Sequence, residues 1–276
     1  MSIQQSCHVL GISRAGYYAA QHRDNQPKKP CAIRVLLKSE FEISDRTYGS
    51  RRLQRELNGQ GISIGIHRVR RLMKEMQMKS IWKPKFVNTT DSRHNLPVFD
   101  NILNRKFNPP APNQAWVSDI TYIRVRDKWL YLAVVLDLYS RKVIGWAMSP
   151  TMPAELVCHA LKLAISHRQP KPGLLVHSDR GSQYASKQYQ DLLNQYGFIG
   201  SMSRKGNCWD NSVMERFFLN LKMERVWRKN YANYEEAKLD VTDYMINFYN
   251  SRRLHSTLGY VSPNEYEMKR TENNLS

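Results

Sequence analysis

Three carboxylates in this 276-residue chain stand where an ordinary solvated acid would not. Asp119 falls inside WVSDITYIRV (116–125), a run of β-branched and aromatic residues. Strand alternation puts it on one face with Val117, Thr121 and Ile123. A charge on such a face is costly unless a cation or a strong donor compensates it. Asp179 closes LLVHSD (174–179), a short apolar run that reads as a buried strand. Glu215 lies in the first turn of a helix that follows the loop residues of RKGNCWDNSVMERFF (204–218). If they converge, the three make an all-oxygen site suited to Mg²⁺ or Mn²⁺. Two such ions about 4 Å apart activate a nucleophile and stabilise a leaving oxygen in phosphodiester chemistry, and no Ser, Tyr or His nucleophile is required.

Each acid also has a plainer explanation. Ser212-x-x-Glu215 matches a capping box. Asp119 fits a hydrogen-bonded core acid, and Asp179 a turn residue in DRGSQ. Asp137, at the end of the second strand, is a rival ligand that reads as a turn former. Asp210 is close to Glu215 but reads as helix entry.

The elements decide whether the three can meet. WVSDITYIRV, WLYLAVVLDL (129–138) and KVIGWAM (142–148) read as a three-strand antiparallel meander. A helix opened by Pro153 runs to about Ile165. The strand 174–179, a helix over 186–196 stopped by Gly197, a short strand 198–202 and a helix over 211–227 follow. The order β-β-β-α-β-α-β-α predicts an α/β core of ribonuclease H-like type, a mixed five-stranded sheet flanked by helices. First and fourth strands are neighbours in that order, so Asp119 and Asp179 converge there. Residues 115–230 form this core. A tail, 231–276, holds a helix over 234–249 and then the irregular, basic SRRLHSTLGYVSP.

Upstream the chain is basic and helical. In IQQSCHVLGISRAGYYAA (3–20), Gly11 ends a helix, Ile12 looks buried and Ser13 caps the next helix. This is the turn and second helix of a helix-turn-helix whose first helix is missing, a truncated remnant over 1–25. A complete helix-turn-helix domain spans 30–82, with helices at about 50–57 and 65–76 around Gly59–Gly61. In its last helix Ile66, Val69, Leu72, Met73 and Met76 share one stripe. Arg68, Arg70, Arg71 and Lys74 lie off it, as in a helix that docks in a groove or along phosphates. Residues 83–114, rich in Asn, Thr and Pro, read as a linker.

Composition points the same way. There are 42 Lys and Arg against 24 Asp and Glu, a formal charge of +18. The first 110 residues carry 20 basic and 8 acidic residues, so the surplus is concentrated there. Such a surplus points to a polyanion held through its phosphates. The four cysteines are scattered without a CxxC pair, which excludes a zinc finger or disulfide framework and fits a reducing cytosol. There is no signal-peptide pattern, and the longest apolar run, 129–136, is too short to cross a bilayer.

Between Asp179 and Glu215 lie 35 residues. That interval resembles the one between the second and third acids of DDE transposases and retroviral integrases. The likeness extends along the chain. WVSDITYIRV, YLAVVLDLYSRKVIGWAM, HSDRGSQYAS, SMSRKGNCWDNSVMERFF and YNSRRLHSTLGYVSP are similar, in order, to signatures of bacterial insertion-sequence transposases of family three, second-reading-frame product, from about residue 30 to 267.

The resemblance implies that Asp119, Asp179 and Glu215 are the catalytic triad and ligate Mg²⁺ or Mn²⁺, two ions. Water activated by the metal would free a 3′-OH at an element end, and that hydroxyl would attack another phosphodiester in line. Lys222, seven residues after Glu215 and nearly on the same helix face, matches an integrase lysine that contacts DNA; Arg225 is a weaker candidate. The loop 203–211, with Arg204 and Lys205, resembles the mobile loop beside an integrase site. Arg252, Arg253 and His255 are candidates to touch DNA, whereas His177 has no proton-transfer role that this chemistry requires. Glu215 is expected to serve twice, as a cap without metal and a ligand with it. The implied partners are element-end and target DNA, the upstream-frame product by frameshift fusion or association, and a second copy in the synaptic complex; the implied location is the bacterial cytoplasm, at the nucleoid. The alternatives are a nuclease that cuts without joining and a transposon-derived DNA-binding regulator. No heptad run of useful length is present, so the chain by itself is expected to bind element ends poorly. A gel-shift titration of the isolated chain on end duplexes checks this: binding should be weak and little better than on random DNA.

Overall fold

The computed structural model describes residues 2–25, 32–81 and 98–273. It divides into two units at Lys79/Ser80, each of which folds around its own apolar residues. Residues 83–97 of the expected linker lie outside the described residues.

The N-terminal unit is helical: α1 (Ile3–Val9), α2 (Arg14–Asn25), α3 (Ala32–Ile43), α4 (Ser50–Gly59) and α5 (Ile66–Glu75). Ser13 Oγ accepts the Gly16 N–H at 3.0 Å and so starts α2. Gly11, at φ +64°, takes the left-handed turn between α1 and α2. Ile12, expected to be buried, is instead 46% exposed; Cys7 fills the interior of this hairpin. In α5 the predicted stripe turns inward through Val69, Leu72 and Met73, with Ile66 and Met76 half-buried. Arg68, Arg70, Arg71 and Lys74 are exposed on the opposite side.

The second unit is built on β1 (Ala115–Val125), β2 (Lys128–Asp137), β3 (Val143–Ser149), β4 (Leu175–Ser178) and β5 (Ile199–Met202), in the order β3-β2-β1-β4-β5. The first three strands form the antiparallel meander, and β4 and β5 run parallel to β1. This is the mixed five-stranded sheet expected from the sequence. One face packs on α6 (Ala154–Arg168) and α7 (Lys187–Gln195) through Trp116, Val135, Leu161 and Tyr189. Gly145 lets α6 approach β3: a Cβ there would stand 2.3 Å from the Ala160 carbonyl oxygen. The other face, with Val117, Ile123, Val134 and Leu136, packs on α8 (Ser212–Glu224) through Met214, Phe217, Phe218 and Leu221.

Two segments differ from expectation. Residues 98–114 carry no regular element but are packed: Leu103 is buried, and the Phe99 ring fills the space where Gly200 lacks a Cβ. The tail is part of the core. α9 (Tyr234–Asp243) passes into a π-helical turn, Tyr244–Asn250, and Ala237, Val241, Tyr244, Met245 and Tyr249 join the α8 face of the sheet. The side chain of Asn250 exchanges two 2.9 Å hydrogen bonds with the backbone of Val143. α10 (Pro263–Asn273), not foreseen from the sequence, brings Glu267 onto Arg168 at 2.8 Å.

Arg253 corrects one expectation outright. It is 2% exposed and grips Glu224 of α8 with Nε and Nη2, at 2.8 and 2.7 Å from its two oxygens, while the Tyr244 hydroxyl donates to the same carboxylate at 2.6 Å. A guanidinium so committed is a strut between the C-terminal segment and α8, not a DNA contact. Arg253→Met should therefore cost about 3–5 kcal/mol of unfolding free energy by urea titration, because Glu224 is left charged and buried; adding Glu224→Leu should recover much of that loss.

Candidate active site

The parallel ladder between β1 and β4 pairs Ala115 with Leu175, Trp116 with Val176 and Val117 with His177. Asp119 lies two residues past Val117 in β1, and Asp179 is the first residue after β4. The two are near enough that the charge of Asp179 acts on Asp119. Asp119 remains paired to Val134 of β2 on its other side. The β4 pairing stops at Val117, which leaves that edge of β1 open at Asp119.

Glu215 comes from α8, which packs on the face of β1 that carries Asp119. Asp119, Asp179 and Glu215 are all half-buried. Asp119 is held well above the ordinary carboxylate range, first by burial, then by the charge of Asp179, with Glu215 adding to it; the Ile120 N–H and Lys222 act in the opposite sense. Burial also raises Glu215. The three carboxylates thus share one electrostatic field.

Among the described residues, no group of three or more Asp, Glu, His or Cys is already gathered tightly around an ion position. Asp119 Oδ1 instead accepts the Ile120 N–H at 2.7 Å, and Asp179 Oδ1 accepts the Gly181 N–H at 2.9 Å. The donor set nevertheless fits a hard divalent cation. It is all carboxylate oxygen, its members repel one another, and Glu215 has no hydrogen-bond partner among the described residues.

The expected capping box is absent. Ser212 has helical φ and ψ (−59°, −24°), so it lies inside the helix, where its hydroxyl does not cap. Asn211 takes the cap position without a side-chain bond. Glu215 is therefore a first-turn acid with a free carboxylate, and its expected double role loses the capping half.

The rival acids are structural. Asp137, fully buried, accepts the N–H groups of Asn113 (2.8 Å) and Tyr139 (2.9 Å) and pairs with Arg168 at 3.1 Å. Asp210, also fully buried, accepts from Asn101 (2.8 Å), Arg105 (2.8 Å) and three groups of Arg204 (2.8–3.0 Å). It clips the base of the 203–211 loop to residues 101–105. His177 is wholly buried between Ser201 Oγ (2.9 Å) and Ser203 Oγ (3.2 Å), and burial lowers its pKa to about 4, so it is neutral at physiological pH.

The basic candidates fall into three groups. Arg225 is committed to Asp243 at 2.9 Å and to Asp240 at 3.6 Å, and Arg204 to Asp210. Lys205, Arg252, Arg68, Arg70 and Arg71 are exposed. Lys222 is half-buried, with Nζ 4.3 Å from the centroid of the Tyr122 ring. Sequence reasoning passed over Tyr122, because alternation assigns it to the face opposite Asp119. The open edge of β1 lets a side chain from α8 reach it.

With this geometry in place, comparison with known proteins defines the class. The integrase core domain family matches residues 109–208 and, in a second description, 196–263; an HTH-like domain family matches residues 31–86. A chain of the simian T-cell lymphotropic virus intasome, seen by cryoEM in complex with PP2A regulatory subunit B56 gamma, has a similar fold. Its TM-score is 0.50 at 14% identity, over 84% of this chain and 74% of that one. The fold is that of an integrase core.

The particular family follows from closer relatives. Transposase InsF for insertion sequence IS3A of Escherichia coli (strain K12) is 39% identical over 97% of this chain and 94% of its own length. The insertion element IS600 uncharacterized 31 kDa protein of Shigella sonnei is 43% identical over 95% of this chain and 97% of its own. The chain belongs to the IS3 family of insertion-sequence transposases. No helix among the described residues is long and apolar enough to cross a membrane.

The Asp210 clip gives a pH signature. Arg204, with Arg105 and backbone hydrogen bonds, holds the Asp210 carboxyl well below the usual range despite its burial. A depressed carboxylate stabilises the fold above its unfolded pKa of about 3.9, and that contribution is lost as pH falls through the lower folded value. Asp210→Asn should cost about 1–3 kcal/mol at neutral pH and flatten the loss of stability below pH ~4, as read by urea unfolding at stepped pH.

Proposed function

We propose that Asp119, Asp179 and Glu215 hold divalent cations, Mg²⁺ or Mn²⁺ in a pair, and that the chain cuts DNA at the ends of an insertion sequence and transfers the freed strand. The observation that supports this reading is that Asp119 feels the charges of both Asp179, the residue after the strand paired to β1, and Glu215, on the helix packed over β1. The ions, when bound, would activate the attacking hydroxyl and stabilise the leaving oxygen.

The protein groups supply position and charge. The three acids fix where a scissile phosphate must sit. Lys222 orients that phosphate from the α8 side. Lys205, exposed on a loop whose base is clipped by Asp210, meets the DNA beside it, with Arg204 already held in the clip. Arg68, Arg70 and Arg71 of α5 track phosphates away from the cut, and Arg252 is a further surface contact. Partners are element-end and target DNA, a second copy for pairing two ends, and the upstream-frame product for end recognition. A joining enzyme is favoured over a plain nuclease or a regulator because relatives 39% identical over nearly the whole chain are named as transposases.

The test is strand transfer with short pre-cut end duplexes. Joined product should appear with Mg²⁺ and vanish with EDTA. Glu215→Gln should lower the rate by roughly 10³-fold or more, the scale of the several kcal/mol that metal charge stabilisation contributes, with circular dichroism unchanged. Cleavage without any joined product would leave a nuclease; full activity in Glu215→Gln would remove Glu215 from the chemistry.

A further inference from the structure

The side chain of Lys222 poses a problem. Its ammonium lies in the electrostatic field of Asp119, yet it makes no ion pair among the described residues. A flexible lysine beside uncompensated carboxylates ordinarily falls onto one of them. Here Nζ stands over the face of Tyr122 instead, 4.3 Å from the ring centroid. The ring itself is braced: Trp129, across the β1–β2 turn, meets it edge-on at 4.9 Å and 84°. Tyr122 also lies within β1, with its backbone paired to Tyr131, so the point from which the ring springs is fixed in the sheet.

A cation over an aromatic face is attracted by the ring quadrupole, more strongly when partly desolvated. Both partners here are half-buried. The ring therefore competes with Asp119 for the ammonium. We propose that Tyr122 is a positioning residue that keeps Lys222 off the metal ligands, leaving Asp119 free for a divalent cation and the ammonium free for a DNA phosphate. This rests on the proposed metal site. It assigns Tyr122 a role in preparing that site without contact to metal or DNA.

Replacing residue 122 in the full chain with Phe, with phenylalanines of increasing fluorine content, and with Leu tests the idea. Fluorine withdraws the negative ring face while nearly preserving ring shape. The readout is Mn²⁺ affinity, from the electron paramagnetic resonance signal of free Mn²⁺, without DNA. Phe should bind Mn²⁺ like wild type. Affinity should fall stepwise with fluorination, and Tyr122→Leu should be weaker on the order of tenfold. Adding Lys222→Met to Tyr122→Leu should restore binding, because no ammonium is left to occupy Asp119. Equal affinity across the series would overturn the proposal, as would a loss in Tyr122→Leu that Lys222→Met does not repair. Failure of the metal reading looks different: wild type would bind no Mn²⁺, or would bind it unaffected by Glu215→Gln.

Discussion

The parallel pairing of β1 with β4 is the constraint on which the catalytic unit depends. It is short, from Ala115 to Val117 on one strand and Leu175 to His177 on the other. Parallel neighbours need a long crossover, and here β2, β3 and α6 supply it. Slipping the register by one residue would turn Asp179 to the opposite face and separate it from Asp119. The burial of Val117, Val176 and His177 opposes that slip, because a slipped strand would move its apolar residues out of both cores. The same frame leaves the edge of β1 open past Val117, and both the acids and the Tyr122–Lys222 contact use that opening.

Around this frame the unit is fastened by polar clips at places where apolar packing cannot set a direction. Glu224 and Arg253 tie the end of α8 to the C-terminal segment, two residues from Lys222. Asp210 ties the loop before α8 to residues 101–105. α8 is thus held at both ends, and Glu215 and Lys222 lie between the clips. Buried pairs of this kind add little net stability over apolar packing; their value here is geometric.

Much of this was legible in the sequence. Alternation in 116–125 put Asp119 on the face with Val117, Thr121 and Ile123, and the strand and helix order gave the sheet. Those signals are local and periodic. What stayed hidden was long-range polar pairing. Nothing in the spacing of Glu224 and Arg253 marks them as partners, so Arg253 looked like one more cation in a basic stretch. Ser212-x-x-Glu215 was misleading because a capping match presumes where the helix starts, and a 3₁₀ turn at Cys208–Asn211 takes Ser212 into the helix. Residues 98–114 lacked periodicity because they are used singly, as Phe99, Asn101, Leu103 and Arg105. Tyr122 was hidden by the rule that placed Asp119: face parity does not describe a side chain reached around an open strand edge.

Asn250 has a bearing on how copies of the chain can meet. Its amide occupies both backbone groups of Val143, the first residue of the outermost strand β3. At the opposite border, Met202 of β5 gives its N–H to the Asp100 carbonyl, and the Ser201 hydroxyl accepts the N–H groups of Ile102 and Leu103. Each margin thus has backbone groups already taken at one residue, Val143 and Met202, a local guard against edge-to-edge pairing. A strand added at either point would first have to displace the chain's own partners there.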